Sequence, residues 1–223
     1  MSDDKKSKND KPARKKRRQP HWLDVCYKAA CKFRDEGRWA ESIEALSAMI
    51  KLLPADDVLR AFRGVAYLRD NKIEEAIQDL SMSIELNDTQ SFAFHIRAEC
   101  YLRFEQYNNA LLDYDRAIRL SSDDVYLYED RGLCYMEIGN FHAALNDFDK
   151  VLDLDDSCEN AFYNRGQALA QIGNYALAVA DFEKELDNNP LNINAYASRE
   201  LVLSMRDQSR DGNIGTQQQQ PQT

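Results

Sequence analysis

No stretch of this 223-residue chain approaches the ~18 consecutive apolar residues that a membrane-crossing helix requires. Histidine occurs only at positions 21, 95 and 142, far apart, and the five cysteines (Cys26, Cys31, Cys100, Cys134, Cys158) are odd in number, scattered, and without zinc-ligand spacing. No hydrophobic signal segment stands upstream, so the thiols read as intracellular and reduced. No glycine-rich loop follows a strand pattern to cradle phosphate, and no nucleophile, base and acid stand at a recognisable spacing. The sequence therefore predicts no catalytic residue, no metal ligand and no cofactor, and the chain is read as non-enzymatic. Asn87-Asp88-Thr89 has the form of a glycosylation site, but without secretion it reads as a turn.

Charge is abundant but segregated. Residues 1–20 carry nine Lys/Arg against three Asp, a net of +6, which leaves -15 of the chain's -9 total for the remaining residues. Such an acidic body repels phosphate backbones, so nucleic acid could be held only by the basic tail. The tail has no aliphatic periodicity to offset the entropy of ordering and is expected to be disordered.

What the chain has is a period of 34 residues. Tyr67 maps onto Tyr101 and Tyr135; Ala76 onto Ala110, Ala144 and Ala178; Leu86 onto Leu120 and Leu154. A fixed period of this size means one helical unit copied along the chain, each copy burying its apolar face on the next. The units read as helix pairs over 23–36/39–52, 57–70/73–86, 91–104/107–120, 125–138/141–154 and 159–172/175–188, followed by a lone helix over 193–206. Gly37, Gly139 and Gly173 mark the turn inside a pair, where a left-handed residue is needed; Asn71 takes that place in the second copy, and Glu105 in the third is a departure. Between copies, Pro54 and Pro190 stop a helix, and Asp88, Ser122 and Asp156 are expected to cap the next one.

The positions fixed by this period are Gly64, Tyr67, Ala76 and Leu80; Ala98, Tyr101, Ala110, Tyr114 and Ala117; Gly132, Tyr135, Ala144 and Phe148; and Gly166, Leu169, Ala178, Phe182 and Pro190. A weaker first copy runs Ala30, Phe33, Gly37, Trp39, Ser42, Leu46, Pro54. The pattern resembles the tetratricopeptide repeat family from about Leu23 to Arg206. The resemblance implies an all-α, right-handed superhelical solenoid of about five helix-turn-helix repeats plus a C-terminal capping helix. The expected organisation is a tail over 1–20, a repeat domain over 21–206 (copies 23–56, 57–90, 91–124, 125–158, 159–192 and the capping helix, with Asn194, Ser198 and Glu200 outward), and a disordered Gln-rich tail over 207–223.

Two charged slots run through the copies: Arg63, Arg97, Arg131, Arg165 and Arg199 in one, Asp79, Asp113, Asp147 and Asp181 in the other, while the first copy has Ala29 and Ala45 and so loses both. They predict a ladder in which each Asp accepts charge-assisted hydrogen bonds from the Arg of its own copy, the next copy, or both.

In tetratricopeptide arrays the concave groove is lined by the side of each first helix that faces away from its partner. Helix geometry puts Val58, Phe62 and Val65 there, then Phe92, His95, Ile96 and Glu99, then Tyr126, Glu129, Asp130 and Leu133, then Asn160, Tyr163, Asn164 and Gln167. The groove candidates are Phe62, Phe92, His95, Ile96, Tyr126, Asp130, Leu133, Tyr163 and Asn164. For Phe62 and Phe92 the plain alternative is packing between neighbouring first helices, and for His95 a partly buried or solvated ring. The face grades from apolar to acidic to an amide end with Gln171 and Asn194, which points to a ligand segment with apolar side chains and at least one Lys or Arg.

The subfamily that clamps the C-terminal carboxylate of heat-shock chaperones needs cations at set places. Here those places hold Tyr27, Cys31, Phe62, Phe92 and Ile96, or in the next register Ala61, Val65, Ile96, Tyr126 and Asp130, so no carboxylate clamp is expected. Arg14, Lys15, Lys16, Arg17 and Arg18 resemble a nuclear-import signal, the alternative being a generic polybasic arm. The leading reading is a non-catalytic adaptor of the cytoplasm, and of the nucleus if the tail is an import signal, that binds a protein or peptide in its groove and no membrane. The alternatives are an acidic chaperone-like or histone-associated factor for basic clients, and nucleic-acid binding through the tail.

Overall fold

The computed structural model describes residues 21–217, which form eleven α-helices. These are α1 (His21–Asp35), α2 (Trp39–Leu52), α3 (Asp57–Arg69), α4 (Ile73–Leu86), α5 (Ser91–Arg103), α6 (Tyr107–Leu120), α7 (Val125–Glu137), α8 (Phe141–Leu154), α9 (Ala161–Gln171), α10 (Tyr175–Asn188) and α11 (Ile193–Gln217). In α4 the buried residues Ile73, Ala76, Leu80 and Ser83 recur every three or four positions, the stripe that an amphipathic helix must cover. Each helix packs on the next across a short turn, so neighbours run antiparallel and the odd-numbered helices lie parallel to one another. Odd-numbered helices also touch each other directly (α3 with α5, α7 with α9, α9 with α11), which puts them on the inner side of the curve. The molecule is an all-α solenoid.

Close approach within each pair depends on one small residue. A Cβ added to Gly64 would stand 2.7 Å from Leu80 Cγ, one on Gly132 2.7 Å from Phe148 Cε1, and one on Gly166 2.8 Å from Phe182 Cε1. Ala30 and Ala98 occupy the same slot in the other copies, buried in the clusters that hold Leu46 and Tyr114. The sixth occurrence of the slot is Glu200, whose bulk bars a further second helix from approaching α11 as closely. The array ends there. The outer face of α11 is less polar than expected: Asn194 and Glu200 are exposed, but Ser198 is half-buried and Leu201 is 63 % exposed. The helix also continues past Arg206 to Gln217, across residues 207–217 that are expected from sequence to be disordered.

The turns inside the pairs are left-handed throughout, at Gly37, Asn71, Glu105, Gly139 and Gly173, with φ between 55° and 79°. Glu105 adopts this conformation despite its side chain, at a cost of about 1–2 kcal/mol. Between copies the capping expectation is corrected. Asp88 and Ser122 lie two residues before their caps, Gln90 and Asp124, because the linker takes a two-residue turn before the helix begins, and Asp156 lies four before Asn160, where the linker turns twice. Side-chain caps include Asp56, whose side chain accepts from Leu59 N–H at 3.0 Å, and Asp124, which accepts from Tyr126 N–H at 3.2 Å. Asn160 is itself left-handed (φ 61°), which delays α9 to Ala161. Cys31, Cys100, Cys134 and Cys158 are free thiols; burial pushes Cys100 up to about 12 and Cys134 up to about 11, so both behave as core side chains.

The charged slots resolve into a ladder with two rails. Four of the five guanidinium groups make a bidentate pair with the Asp sixteen residues later in their own copy: Arg63 with Asp79 (2.5 and 2.8 Å), Arg97 with Asp113 (2.7 and 2.8 Å), Arg131 with Asp147 (2.9 and 2.6 Å) and Arg165 with Asp181 (2.7 and 2.8 Å), while Arg199 on the last helix pairs with its neighbour Glu200 (2.8 Å). The remaining Nη1 of each of the four donates sixteen residues backwards, into the second helix of the preceding copy: to Ser47 (2.9 Å), Ser81 (3.0 Å), Asp115 (2.6 Å) and Asp149 (2.8 Å). Each of these four thus ties three helices together through the geometry that only a planar fork supplies. Burial pushes the Arg131 guanidinium down and the Asp147 carboxyl up. The hydrogen bonds and charges of Asp147 and Asp115 carry Arg131 above its ordinary value, while Asp147 stays raised.

The four aspartates are buried, so removing one charge strands its partner. Asp113→Asn is expected to lower unfolding free energy by about 3 kcal/mol, measured by urea titration. Unchanged stability would contradict a structural role for the ladder.

Candidate functional site

The inner face is built from α3, α5, α7 and α9, and a second register governs it. Residues 35 apart meet across successive first helices, because the helix one copy on is displaced by one position relative to the 34-residue repeat. At the beginning of the stack the contact is aromatic: the Phe62 ring lies edge-on to Tyr27 with centroids 5.7 Å apart, and Phe92 continues the row at 6.1 Å from Phe62. One copy on it is apolar, Ala61 and Ile96 sharing one core cluster. Then it becomes polar: His95 Nε2 stands 2.6 Å from Asp130 Oδ2, and Asn164 Nδ2 donates to Glu129 Oε1 at 3.4 Å.

Ile96 is therefore corrected as a groove residue. It is only 7 % exposed and packs with Ala61, Leu68, Ile73 and Cys100, because its position sits on the shoulder where one first helix meets the next. Phe62 is half-buried within the aromatic row, as the packing alternative had it. Phe92 does both, touching Phe62 while 41 % exposed. His95 is partly buried, with Asp130 on one side and the buried Tyr114 ring 6.0 Å away on the other. Tyr163 packs 5.9 Å from Phe182 and accepts a hydrogen bond from Gln167. Asn164 is half-buried. Tyr126 (67 %) and Leu133 (41 %) are exposed on α7, the first helix that follows α5 and its Phe92. Arg14, Lys15, Lys16, Arg17 and Arg18 lie outside the described residues.

Acidic groups border these exposed side chains. Glu99 accepts from Arg69 across the face at 3.1 Å. Glu129 is half-buried, and burial, reinforced by Asp130 and Glu159, raises its carboxyl above the usual range. At the junction of α7 and α9 an open cleft of about 620 Å³ is lined by Asp123, Asp124, Glu129, Asp155 and Glu159 with Tyr126 on its wall, and no Lys, Arg or His lines it. Sequence reasoning missed this cleft. Its signal is the doubling of acids in successive linkers, Asp123-Asp124 and Asp155-Asp156, of which only Asp156 enters the sequence reading, as a helix cap. The arrangement can hold a cationic side chain against carboxylates and a ring face. Among the described residues no group of three His, Cys, Asp or Glu side chains is placed to hold a metal.

The His95–Asp130 contact is expected to couple α5 to α7. A double-mutant cycle with His95→Ala and Asp130→Ala should give a coupling of about 0.5–3 kcal/mol in unfolding free energy; strict additivity would show that the 2.6 Å contact links nothing.

The tetratricopeptide repeat profile matches residues 27–90, 97–161 and 159–190. No curated protein matches the sequence. Among solved structures, a tetratricopeptide repeat protein of Parabacteroides merdae is 21 % identical with a TM-score of 0.73, over 87 % of this chain and 77 % of that one. MamA of Desulfovibrio magneticus is 16 % identical with a TM-score of 0.71, over 78 % and 98 %. YrrB, described as a tetratricopeptide protein with an unusual peptide-binding site, is 20 % identical with a TM-score of 0.67, over 77 % and 88 %. These likenesses concern the fold alone. With three profile matches in tandem and eleven helices packed in the matching order, the chain belongs to the tetratricopeptide repeat family.

Proposed function

We propose that this protein is a non-catalytic interaction scaffold whose inner face holds a peptide or helix of another protein. The ligand class is a segment with apolar side chains for Phe92, Tyr126 and Leu133 and at least one Lys or Arg for the carboxylates beside them. The observation that carries this reading is the exposure of three apolar side chains on two neighbouring first helices, Phe92 at the start of α5 and Tyr126 and Leu133 two turns apart on α7, with Glu99, Glu129 and Asp130 on the same two helices. Proteins of this family bind protein or peptide partners, and YrrB's peptide-binding site supports the same use of the fold here. Neither clamp register offers a cation for an anionic C-terminus.

A second reading, a screening factor for basic clients, is favoured by the net -15 carried outside the first twenty residues. Salt separates the two, since apolar anchoring survives ionic strength that screens exposed charge. No described helix is long and apolar enough to cross a membrane. Placement in the cytoplasm rests on the scattered, unpaired cysteines, and placement in the nucleus on the import-like run at residues 14–18.

A peptide-display screen tests the proposal. Wild type should enrich segments that combine apolar and basic residues, and the triple variant Phe92→Ala, Tyr126→Ala, Leu133→Ala should keep its helicity and bind the enriched peptides at least about tenfold more weakly. A ligand cation beside Glu129 lowers that carboxyl's raised pKa, so affinity should fall as pH drops from neutral through it, and Glu129→Gln should flatten the profile. Enrichment of acidic tails, or unaltered binding by the triple variant, would overturn the proposal.

A further inference from the structure

We propose that the outer side of α11 is a self-docking surface, and that two copies of this chain pair through it with their α11 helices antiparallel and Leu201 on the two-fold axis. This goes beyond the peptide-binding reading and does not depend on it.

A helix that ends a stack needs one apolar side, and α11 has two. On its inner side Ala195 and Val202 are buried, and Val202 and Leu203 pack with Leu169, Val179 and Phe182 of α9 and α10. On the opposite side a strip runs through Ile193, Asn194, Ala197, Leu201, Met205 and Gln208, all exposed. It covers about a third of the helix circumference over a length of about 22 Å. Ile193 stands 79 % exposed, and Leu191, just before the helix, 87 %; these are the two most exposed large apolar side chains among the described residues.

Charge restricts what can lie on the strip. Outside its first twenty residues the chain carries a net -15, so two copies repel wherever their acidic surfaces meet. The strip holds no charged residue. Arg199, Glu200, Arg206 and Asp207 lie off it and pair as Arg199 with Glu200 at 2.8 Å and Arg206 with Asp207 at 3.2 Å, which leaves α11 neutral from Ile193 to Gln208. This end of the stack is where two acidic bodies can meet without opposing like charges.

The order of residues along the strip selects a second copy as the occupant. An isologous contact must fit its own reverse. Ala197 and Met205 stand four residues before and after Leu201, and Asn194 and Gln208 seven before and after it. Two antiparallel helices centred on Leu201 therefore set small Ala197 against large Met205 twice, and the amide of Asn194 against that of Gln208 twice, while the two Leu201 side chains meet between them. Size is matched to size and donor to acceptor, and no charge is buried. A contact one helix wide is small beside those of long-lived dimers, so the pairing is weak and depends on concentration. It uses no residue of α5 or α7, where Phe92, Tyr126 and Leu133 lie.

Light scattering after size-exclusion chromatography of the full-length chain tests this. The mass should rise from that of one chain at about 1 μM toward that of two at about 1 mM, and added salt should strengthen the pairing by screening the acidic bodies from each other. Leu201→Glu, at an exposed position, should keep the wild-type helicity and melting temperature and weaken the pairing at least about tenfold. Cysteine substitutions read the register. Under mild oxidation Leu201→Cys should crosslink to itself, whereas Ala197→Cys and Met205→Cys should crosslink when mixed and not alone, each scored against wild type as the blank. A chain that stays monomeric at every concentration would overturn the proposal. So would a dimer that Leu201→Glu leaves intact, a dimer that salt dissolves, or Ala197→Cys joining to itself, which would mean parallel helices.

Discussion

The stack is held in register by one repeated interaction, an arginine on each first helix that grips its own copy and the preceding copy at once. Two guanidinium nitrogens take the buried Asp of the same hairpin and the third reaches back to a Ser or Asp of the hairpin before. Hydrophobic burial brings helices together but is non-directional. A bidentate fork with a third contact fixes both distance and angle, and repeating it from Arg63 to Arg165 gives each junction the same polar geometry. The first copy, with Ala29 and Ala45 in these slots, has no Arg–Asp pair of its own and is joined to the second by Arg63 reaching back to Ser47 and by the aromatic contact of Tyr27 with Phe62. Burying so many paired charges is weakly stabilising at best, and its return is geometric specificity.

That constraint frees the inner face to vary. With packing secured by the ladder and by the small-residue slot, the contacts between first helices can change from aromatic, to apolar, to His–Asp, to Glu–Asn without altering the fold. The gradient is thus both part of how adjacent first helices meet and the chemistry displayed to a ligand. Glu200 closes the series by filling the slot that a further hairpin would need.

Most of the fold was legible because a 34-residue period leaves few ways to place helices, and small, aromatic and charged residues recur at fixed offsets. The Arg–Asp pairing was legible only as a choice. The sequence spacing of sixteen within a copy and eighteen to the next allowed either partner, and the structure selects the same copy. The backward contact to Ser47, Ser81, Asp115 and Asp149 was hidden because that slot mixes hydroxyls with carboxylates. At the candidate site, Tyr126 and Leu133 were placed outward correctly by helix geometry, while Ile96 was not. Whether such a shoulder position faces solvent depends on how closely the next first helix approaches, a distance that no periodicity contains. The acidic cleft was hidden for a related reason, since its members come from two linkers that only packing brings together.

Native-state hydrogen exchange across the full-length chain tests the central claim most directly. If the ladder couples the copies into one unit, the most protected amides of α3 to α10 should share one opening free energy and fall together when Arg131 is replaced by Met. Separate opening energies for each hairpin in the wild type, with only α7 and α8 responding to that substitution, would contradict the account.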